Sequence, residues 1–291
     1  MKDFFTYLTV GQEDRNWGLH LNVAGRTQIT PYADYPSTEH PTGYYFSWDT
    51  GRVLQEFQLN YITEGTGVFE SKQGEFPVKP GSLIIIRPGT WHRYRPAPKT
   101  GWVENYIGLE GPMAEHLFQQ SIFASAPAVI QCGFREEIID SFYRIFYLLQ
   151  QEEPGYQQIA SGLIIKLLGH LIAIEKQRNF SGKRIEEVIK KIRFQMREQV
   201  ESTIDLRILA EQQHIAYPYF RKMFKKYTGI SPHQSVLDLK IMRAKEMLLT
   251  SERSVKEISF ALGFQSIYYF SRLFKQKTGV SPSTLRKSLQ R

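Results

Sequence analysis

Cysteine is almost absent from this 291-residue chain. Cys132 stands alone, so no intramolecular disulfide and no cysteine-built zinc or iron–sulfur site can form, and a reducing cytoplasm is the compartment that fits. Long apolar runs are equally scarce. The most apolar stretch, Leu163 to Ile174, is broken by Lys166 and His170 and falls short of the ~20 residues a bilayer crossing needs. It predicts a buried helix, with no membrane partner. The N-terminus lacks a basic region and meets Gln12, Glu13, Asp14 and Arg15 before an apolar core develops, so no signal peptide is expected. With 42% apolar and 23% charged residues, wholesale disorder is excluded.

What the chain does have is an uneven charge. The net +8 combines residues 1–182, with 15 basic and 19 acidic side chains, and residues 183–291, with 22 basic and 10 acidic. A mildly acidic unit is joined to a strongly basic one, which points to a polyanion partner for the second unit only.

Three regions follow from the residue pattern. Residues 1–110 are β-rich: aromatic and β-branched runs at Leu54 to Thr63, Gly67 to Ser71, Leu83 to Ile86 and Trp102 to Leu109 are cut by Gly65, Gly74, Pro80-Gly81 and Pro88-Gly89. That punctuation suits an antiparallel barrel or double sheet. Residues 111–182 change to helical spacing, with Ile138, Phe142, Ile145, Phe146 and Leu149 on one face and Ile164, Leu167, Leu168, Leu171 and Ile172 on another. These two helices either cover the barrel or form a dimer seam. The domain boundary is expected near residue 182, where the charge shifts. From residue 183 onward helices are expected near 184–199, 205–212, 216–227, 232–249, 254–261, 267–277 and 282–289, with Ser231-Pro232 and Ser281-Pro282 as helix starts and Gly229 and Gly279 as helix ends.

The basic region repeats itself. Tyr219 to Pro232 matches Tyr269 to Pro282 at eight of fourteen positions, an offset of 50 residues. Upstream the offset is one less, since Ile215 pairs with Phe264, so the second copy carries one extra turn residue. Each copy is a short helix, a tight turn around His214 or Gly263, and a longer basic and aromatic helix: helix-turn-helix grammar. In the longer helices Phe220, Met223, Phe224 and Tyr227, or Phe270, Leu273 and Phe274, form an apolar stripe. The opposite faces carry Pro218, Arg221, Lys222 and Lys225 in one copy, and Tyr268, Ser271, Arg272 and Lys275 in the other, with Gln265 just before. Such a face suits a helix lying in the major groove of double-stranded DNA. Solvation alone would account for one basic helix, but not for two matched ones.

These residues resemble the AraC/XylS family of bacterial transcription regulators. The resemblance covers about 184–289 and rests on Ile258 to Lys275, on Thr278-Gly279-Val280-Ser281-Pro282, and on Arg243-Ala244 with Leu248-Leu249 in the connecting helix. His214 stands where the first unit usually has glycine, and Ala216 where it usually has a capping serine. The front half resembles the family's sensing arm, a cupin-like barrel, through Leu59 to Phe69, Val78 to Ser82 and Arg87 to Tyr94. The implied fold class is α+β: an N-terminal cupin-like β-barrel, a helical linker or dimerisation segment, and a C-terminal all-α double helix-turn-helix domain.

The resemblance further implies a homodimeric, cytoplasmic regulator responsive to a small effector, with promoter DNA as partner and RNA polymerase as a further candidate. In arabinose-sensing members the sugar-contacting positions match Glu64, Tyr94, Glu104 and Tyr106 here. The basic contact has become acidic, so arabinose itself does not carry over, but a sugar or oligosaccharide does, with His92 and Trp102 as further candidates. Aromatic faces suit pyranose C–H faces and carboxylates accept from hydroxyls. Enzymatic cupins hold a metal with several histidines, whereas Gln58 to Gly67 offers none and leaves His92 alone. No metal, cofactor or catalytic residue is therefore expected. An effector-independent regulator whose barrel only dimerises, and a cupin enzyme with an accessory DNA-binding domain, are the competing readings.

Overall fold

The computed structural model describes residues 3–36, 46–178, 180 and 182–288. The chain divides into two compact units, residues 1–175 and 176–291. In the first, the strands are β1 (Phe4–Tyr7), β2 (His20–Ile29), β3 (Arg52–Val53), β4 (Phe57–Gly65), β5 (Gly67–Ser71), β6 (Gly74–Val78), β7 (Ser82–Ile86), β8 (Trp91–Pro96), β9 (Trp102–Glu110) and β10 (Val129–Gln131). They pair antiparallel into a larger sheet, β1-β2-β9-β4-β7-β10, and a smaller one, β3-β8-β5-β6. The accompanying helices are α1 (Gln12–Trp17), α2 (Pro112–Gln119), α3 (Ser121–Ala124), α4 (Glu136–Gln151) and α5 (Tyr156–Arg178).

Successive side chains of a strand point to opposite faces, and here both faces of the larger sheet are covered. Leu59, Tyr61, Leu83, Ile85, Ile107 and Leu109 join Phe142, Ile145, Phe146, Ile164, Leu167 and Leu168 of α4 and α5 in one core. Their neighbours Ile62, Ile84, Ile86 and Trp102 join Phe69 and Tyr94 of the smaller sheet in a second core. Double burial explains why these strands read as nearly unbroken apolar runs rather than as alternation.

Helix α5 is longer than its apolar stretch suggested. By length and composition it is apolar enough to cross a membrane, yet Ala160, Ile164, Leu167, Leu168 and Leu171 are buried. It also carries polar groups inward. A bulge in β2 between Leu21 and Val23 interrupts the ladder, and the buried Gln157 side chain accepts from the Leu21 N–H at 2.9 Å and donates to the Leu21 carbonyl at 3.0 Å. Ser161 donates to the Leu19 carbonyl at 2.6 Å. The stretch after residue 110 also returns to the barrel: β10 pairs with β7, Ile130 opposite Leu83. This strand is too short to show a period.

The second unit holds α6 (Arg184–Glu198), α7 (Leu206–Glu211), α8 (Tyr217–Thr228), α9 (Pro232–Thr250), α10 (Val255–Ala261), α11 (Ile267–Thr278) and α12 (Pro282–Lys287). These ends fall within a residue or two of the expected ones; residue 289 lies outside the described residues. Ser231 and Ser281 accept from the N–H groups of Gln234 and Thr284, and Gly229 and Gly279 are left-handed with φ 87° and 81°. Helix α9 serves two cores, giving Val236 to the one with Phe220 and Phe224, and Ile241, Ala244 and Leu248 to the one with Phe270 and Phe274. The unit begins before the expected residue 182 because Phe180, in what reads as a polar connection, is buried in the first of these cores, its ring edge-on to Tyr227 at 5.0 Å.

Since barrel and helices share one core, Phe142→Ala is expected to destabilise the barrel itself by ~3–5 kcal/mol. All four tryptophans lie in the first unit, so the urea midpoint by tryptophan fluorescence checks it; an unmoved midpoint would make α4 peripheral.

Candidate functional site

Between the two sheets lies a narrow cavity that opens to solvent. Its walls are the inward-facing residues of six strands and of the segment between β2 and β3: Tyr7, Thr27, Arg52, Gln58, Tyr94, Glu104 and Tyr106, with Tyr35 and Phe46. Aromatic walls with a few polar groups are the usual make-up of a small-molecule site. Glycine at position 25 of β2 is required, because a Cβ there would collide with the Tyr106 hydroxyl.

Of the six residues expected to meet a ligand, Tyr94, Glu104 and Tyr106 line this cavity. Trp102 packs beside it, its ring 6.1 Å from Tyr94 and 5.9 Å from Tyr35. His92 sits behind Arg52 and lines a second, separate cavity with Phe69, Arg87 and Thr90. Glu64 is exposed and outside both cavities. Of the segment Trp17 to His40, which the family resemblance suggests as an arm over the pocket, Tyr35 and Pro36 reach the cavity and residues 37–40 lie outside the described residues.

The group that sequence reasoning missed is Arg52. Its Nε donates to His92 Nε2 at 3.2 Å and a terminal nitrogen donates to Gln58 Oε1 at 3.3 Å and to the Tyr94 hydroxyl at 2.5 Å. The guanidinium carbon also lies 4.9 Å from the Phe46 ring centre. His92 accepts at Nε2, so its proton sits on Nδ1 and faces the Thr90 carbonyl at 2.9 Å. Burial pushes the His92 pKa down to about 4; the Thr90 bond opposes this and the Arg52 charge adds to it. Glu104 moves the other way. Burial raises its pKa to about 7 against the pull of Arg52 and of a hydrogen bond from Tyr35. Its Oε2 is buried and finds no hydrogen-bond partner among the described residues.

In the second unit, α7 and α8 flank a turn at His214 (φ 54°), and α10 and α11 flank one at Gly263 (φ 72°). The Ile215 N–H donates to Ala210 and the Phe264 N–H to Ser259, the same bond in both copies. The extra residue of the second copy lies between turn and helix: Ala216 precedes α8 without a side-chain cap, whereas Ser266 accepts from the Tyr269 N–H at 3.3 Å. Each longer helix buries its phenylalanines and exposes the opposite face. Pro218, Arg221, Lys222 and Lys225 are exposed on α8; Gln265, Tyr268, Arg272 and Lys275 are exposed, and Ser271 half-buried, at α11. Among the described residues Arg221, Lys222, Lys225, Arg272 and Lys275 enter no ion pair, so their charges are available to a polyanion. Arg243, of the Arg-Ala pair, instead binds Glu201 and Glu246, while Ala244 is buried.

An aromatic-walled cavity in a cupin-like barrel, followed by tandem helix-turn-helix units, defines a DNA-binding transcription regulator with a ligand-binding domain. Residues 34–168 match the AraC-like ligand binding domain and residues 209–288 match a helix-turn-helix domain, and the chain belongs to the AraC family. It is 28% identical over 243 residues to the MmsAB operon regulatory protein of Pseudomonas aeruginosa, covering 81% of this chain and 76% of that one. It is 24% identical to the raffinose operon transcriptional regulatory protein RafR of Pediococcus pentosaceus, over 84% and 89% of the two chains. With the arabinose operon regulatory protein of Escherichia coli K12 the identity is 27%, over 93% and 90%.

Two outcomes are expected from this geometry. A carboxyl whose folded pKa exceeds its unfolded one binds more protons when folded, so the Glu104 contribution to stability is largest below the ordinary value of 4.5 and is lost as pH rises through about 7. His92, with its pKa lowered to about 4, works oppositely between about 4 and 6.5 and masks this in the wild type. The difference isolates it: relative to wild type, Glu104→Gln should gain up to ~3 kcal/mol between pH 4.5 and pH 8, read from urea midpoints by tryptophan fluorescence. Ala216→Ser should supply the absent cap of α8 and stabilise the first helix-turn-helix by ~1 kcal/mol, seen as a higher urea midpoint in far-UV circular dichroism.

Proposed function

We propose that this regulator takes a carbohydrate effector, a sugar or short oligosaccharide, into the barrel cavity, and that effector binding changes which DNA half-sites a homodimer occupies. The cavity supports this with aromatic rings beside a buried carboxylate that has an uncommitted oxygen, a pairing suited to sugar C–H faces and hydroxyls. The relatives named for raffinose and arabinose operons support it independently. A coupling of about 1–3 kcal/mol between cavity and DNA sites is enough. The exposed aromatic and aliphatic groups Tyr147 and Ile159 on α4 and α5, beside Tyr143 and Leu163, offer a surface for the partner subunit. RNA polymerase is the further partner in a cytoplasmic, non-enzymatic role.

In DNA recognition, Arg221, Lys222 and Lys225 of α8, with Pro218 at its start, enter one major-groove segment, and Tyr268, Ser271, Arg272 and Lys275 of α11, with Gln265 before it, enter the next. Helix α9, 19 residues and ~28 Å long, spaces them. The observation that carries this reading is the recurrence of the same exposed basic face on two equivalent helices.

The test is selection of binding sites from a random duplex pool with the full-length protein, followed by titration of Arg272→Ala against selected and scrambled duplexes. Loss of about 1–3 kcal/mol on the selected site with little change on the scrambled one is expected. Equal losses on both would reassign Arg272 to phosphate contact, and failure to enrich any sequence would overturn the regulator reading.

A further inference from the structure

The two helix-turn-helix units share a framework but differ in what they offer to a base edge. At the outward positions i, i+3, i+4 and i+7 of the longer helices, α8 carries Pro218, Arg221, Lys222 and Lys225, and α11 carries Tyr268, Ser271, Arg272 and Lys275. Tyr219 and Tyr269 flank the two faces alike and do not distinguish them. Arginine and lysine side chains only donate, and proline has no polar side-chain atom, so the α8 face holds no hydrogen-bond acceptor. The α11 face holds two hydroxyls that both donate and accept, those of Ser271 and Tyr268, the latter on a side chain that is 79% exposed.

The extra residue of the second copy widens the contrast. Ile215 matches Phe264, and Ala216 matches Ser266 at the two cap positions, so Gln265 has no counterpart in the first unit. It is exposed between turn and helix, and its amide makes no hydrogen bond among the described residues. The Ser266 cap on the Tyr269 N–H fixes the start of α11 immediately after it. A side-chain amide with one acceptor and two donors thus stands at the entry of α11 and is missing at the entry of α8.

In the major groove guanine presents two adjacent acceptors, N7 and O6, whereas adenine presents the N7 acceptor beside its N6 amino donor. A face of donors alone satisfies guanine and leaves the adenine amino group without an acceptor, at the full cost of its lost water. We infer that the two units read chemically unlike half-sites: α8 one specified by guanine alone, α11 with Gln265 one that contains adenine as well as guanine. The inference rests on the DNA-recognition reading above and deepens it. Arg221 forks onto guanine in the first half-site. In the second, Arg272 takes guanine, the Gln265 amide takes adenine N6 and N7, and the Tyr268 ring lies against a thymine methyl. The site read by one chain is then a tandem of two different sequences, not a repeat of one.

The test is parallel selection of binding sites from a random duplex pool by the full-length wild type, Arg221→Ala and Gln265→Ala. The wild type should enrich two half-sites of different composition about one helical turn, ~10 bp, apart. Arg221→Ala should relax the guanine half-site only, and Gln265→Ala only the adenine of the other, each by about 5- to 150-fold in discrimination against the wrong base, the ratio that one bidentate contact supplies. The wild-type sites stand by themselves should either variant fold poorly, and 7-deazaguanine, which lacks the N7 acceptor, should weaken wild-type binding when placed in the guanine half-site. Half-sites of like composition, an adenine preference lost in Arg221→Ala, or one kept in Gln265→Ala would overturn the inference and leave sequence-specific binding in place. Enrichment of no sequence by the wild type would overturn the regulator reading and this inference with it.

Discussion

The constraint on which the first unit depends is that its larger sheet has no solvent face. Strands β4, β7 and β9 bury alternate residues against α4 and α5 and the remainder against the smaller sheet. The cavity groups of β9 therefore alternate with residues of its opposite face, Glu104 and Tyr106 with Val103, Asn105 and Ile107, of which Ile107 belongs to the helical core. A shift of one residue in register would exchange the two sets and turn Glu104 away from the cavity. The cavity wall and the helical layer are thereby packed on the two faces of the same strands.

Burial of polar groups in that sheet follows a consistent rule. Where the ladder is interrupted, at the β2 bulge, a side chain from α5 supplies both missing bonds. Where a charge is enclosed, as with Arg52, several acceptors and an aromatic face surround it. His92 is part of this arrangement: as a neutral acceptor for Arg52 Nε it holds the guanidinium towards Tyr94 and Glu104. Its contribution to the cavity is thus to position Arg52 rather than to touch a ligand.

The contrast between Glu64 and Glu104 shows what could be read from residues alone. Both are acidic and both follow apolar runs, so alternation along β4 from Gln58, Asn60 and Ile62 carries Glu64 inward. A bulge between Ile62 and Glu64 reverses the parity at that point, and Glu64 turns to solvent. Bulges leave little trace in composition. Arg52 was hidden for a different reason: it comes from a two-residue strand after the turn at Ser47 to Gly51, a stretch without period. The helical unit was easier to anticipate, since its signals are local: capping serines, left-handed glycines and a stripe of phenylalanines, repeated twice. Phe180 escaped because one aromatic among polar neighbours carries no period at all.

The two helix-turn-helix units also explain their own differences. A Cβ at position 263 would lie 3.1 Å from the Lys240 ammonium and 3.5 Å from Ser202 and Thr203, close contacts that a shift of the lysine can relieve, so it is the left-handed backbone, φ 72°, that favours glycine in the second turn. Lys240 is itself buried under that turn, 5.7 Å from the Phe264 ring. His214 is exposed at its turn and borders an open groove with Arg184 and Lys191, so a side chain is sterically tolerated there at the cost of left-handed backbone. The first unit thus carries both an unfavourable turn residue and an uncapped helix, while the second has a glycine turn, a capping box at Ser254 and Glu257, and the Ser266 cap. Local stabilising features are therefore more numerous in the second helix-turn-helix than in the first.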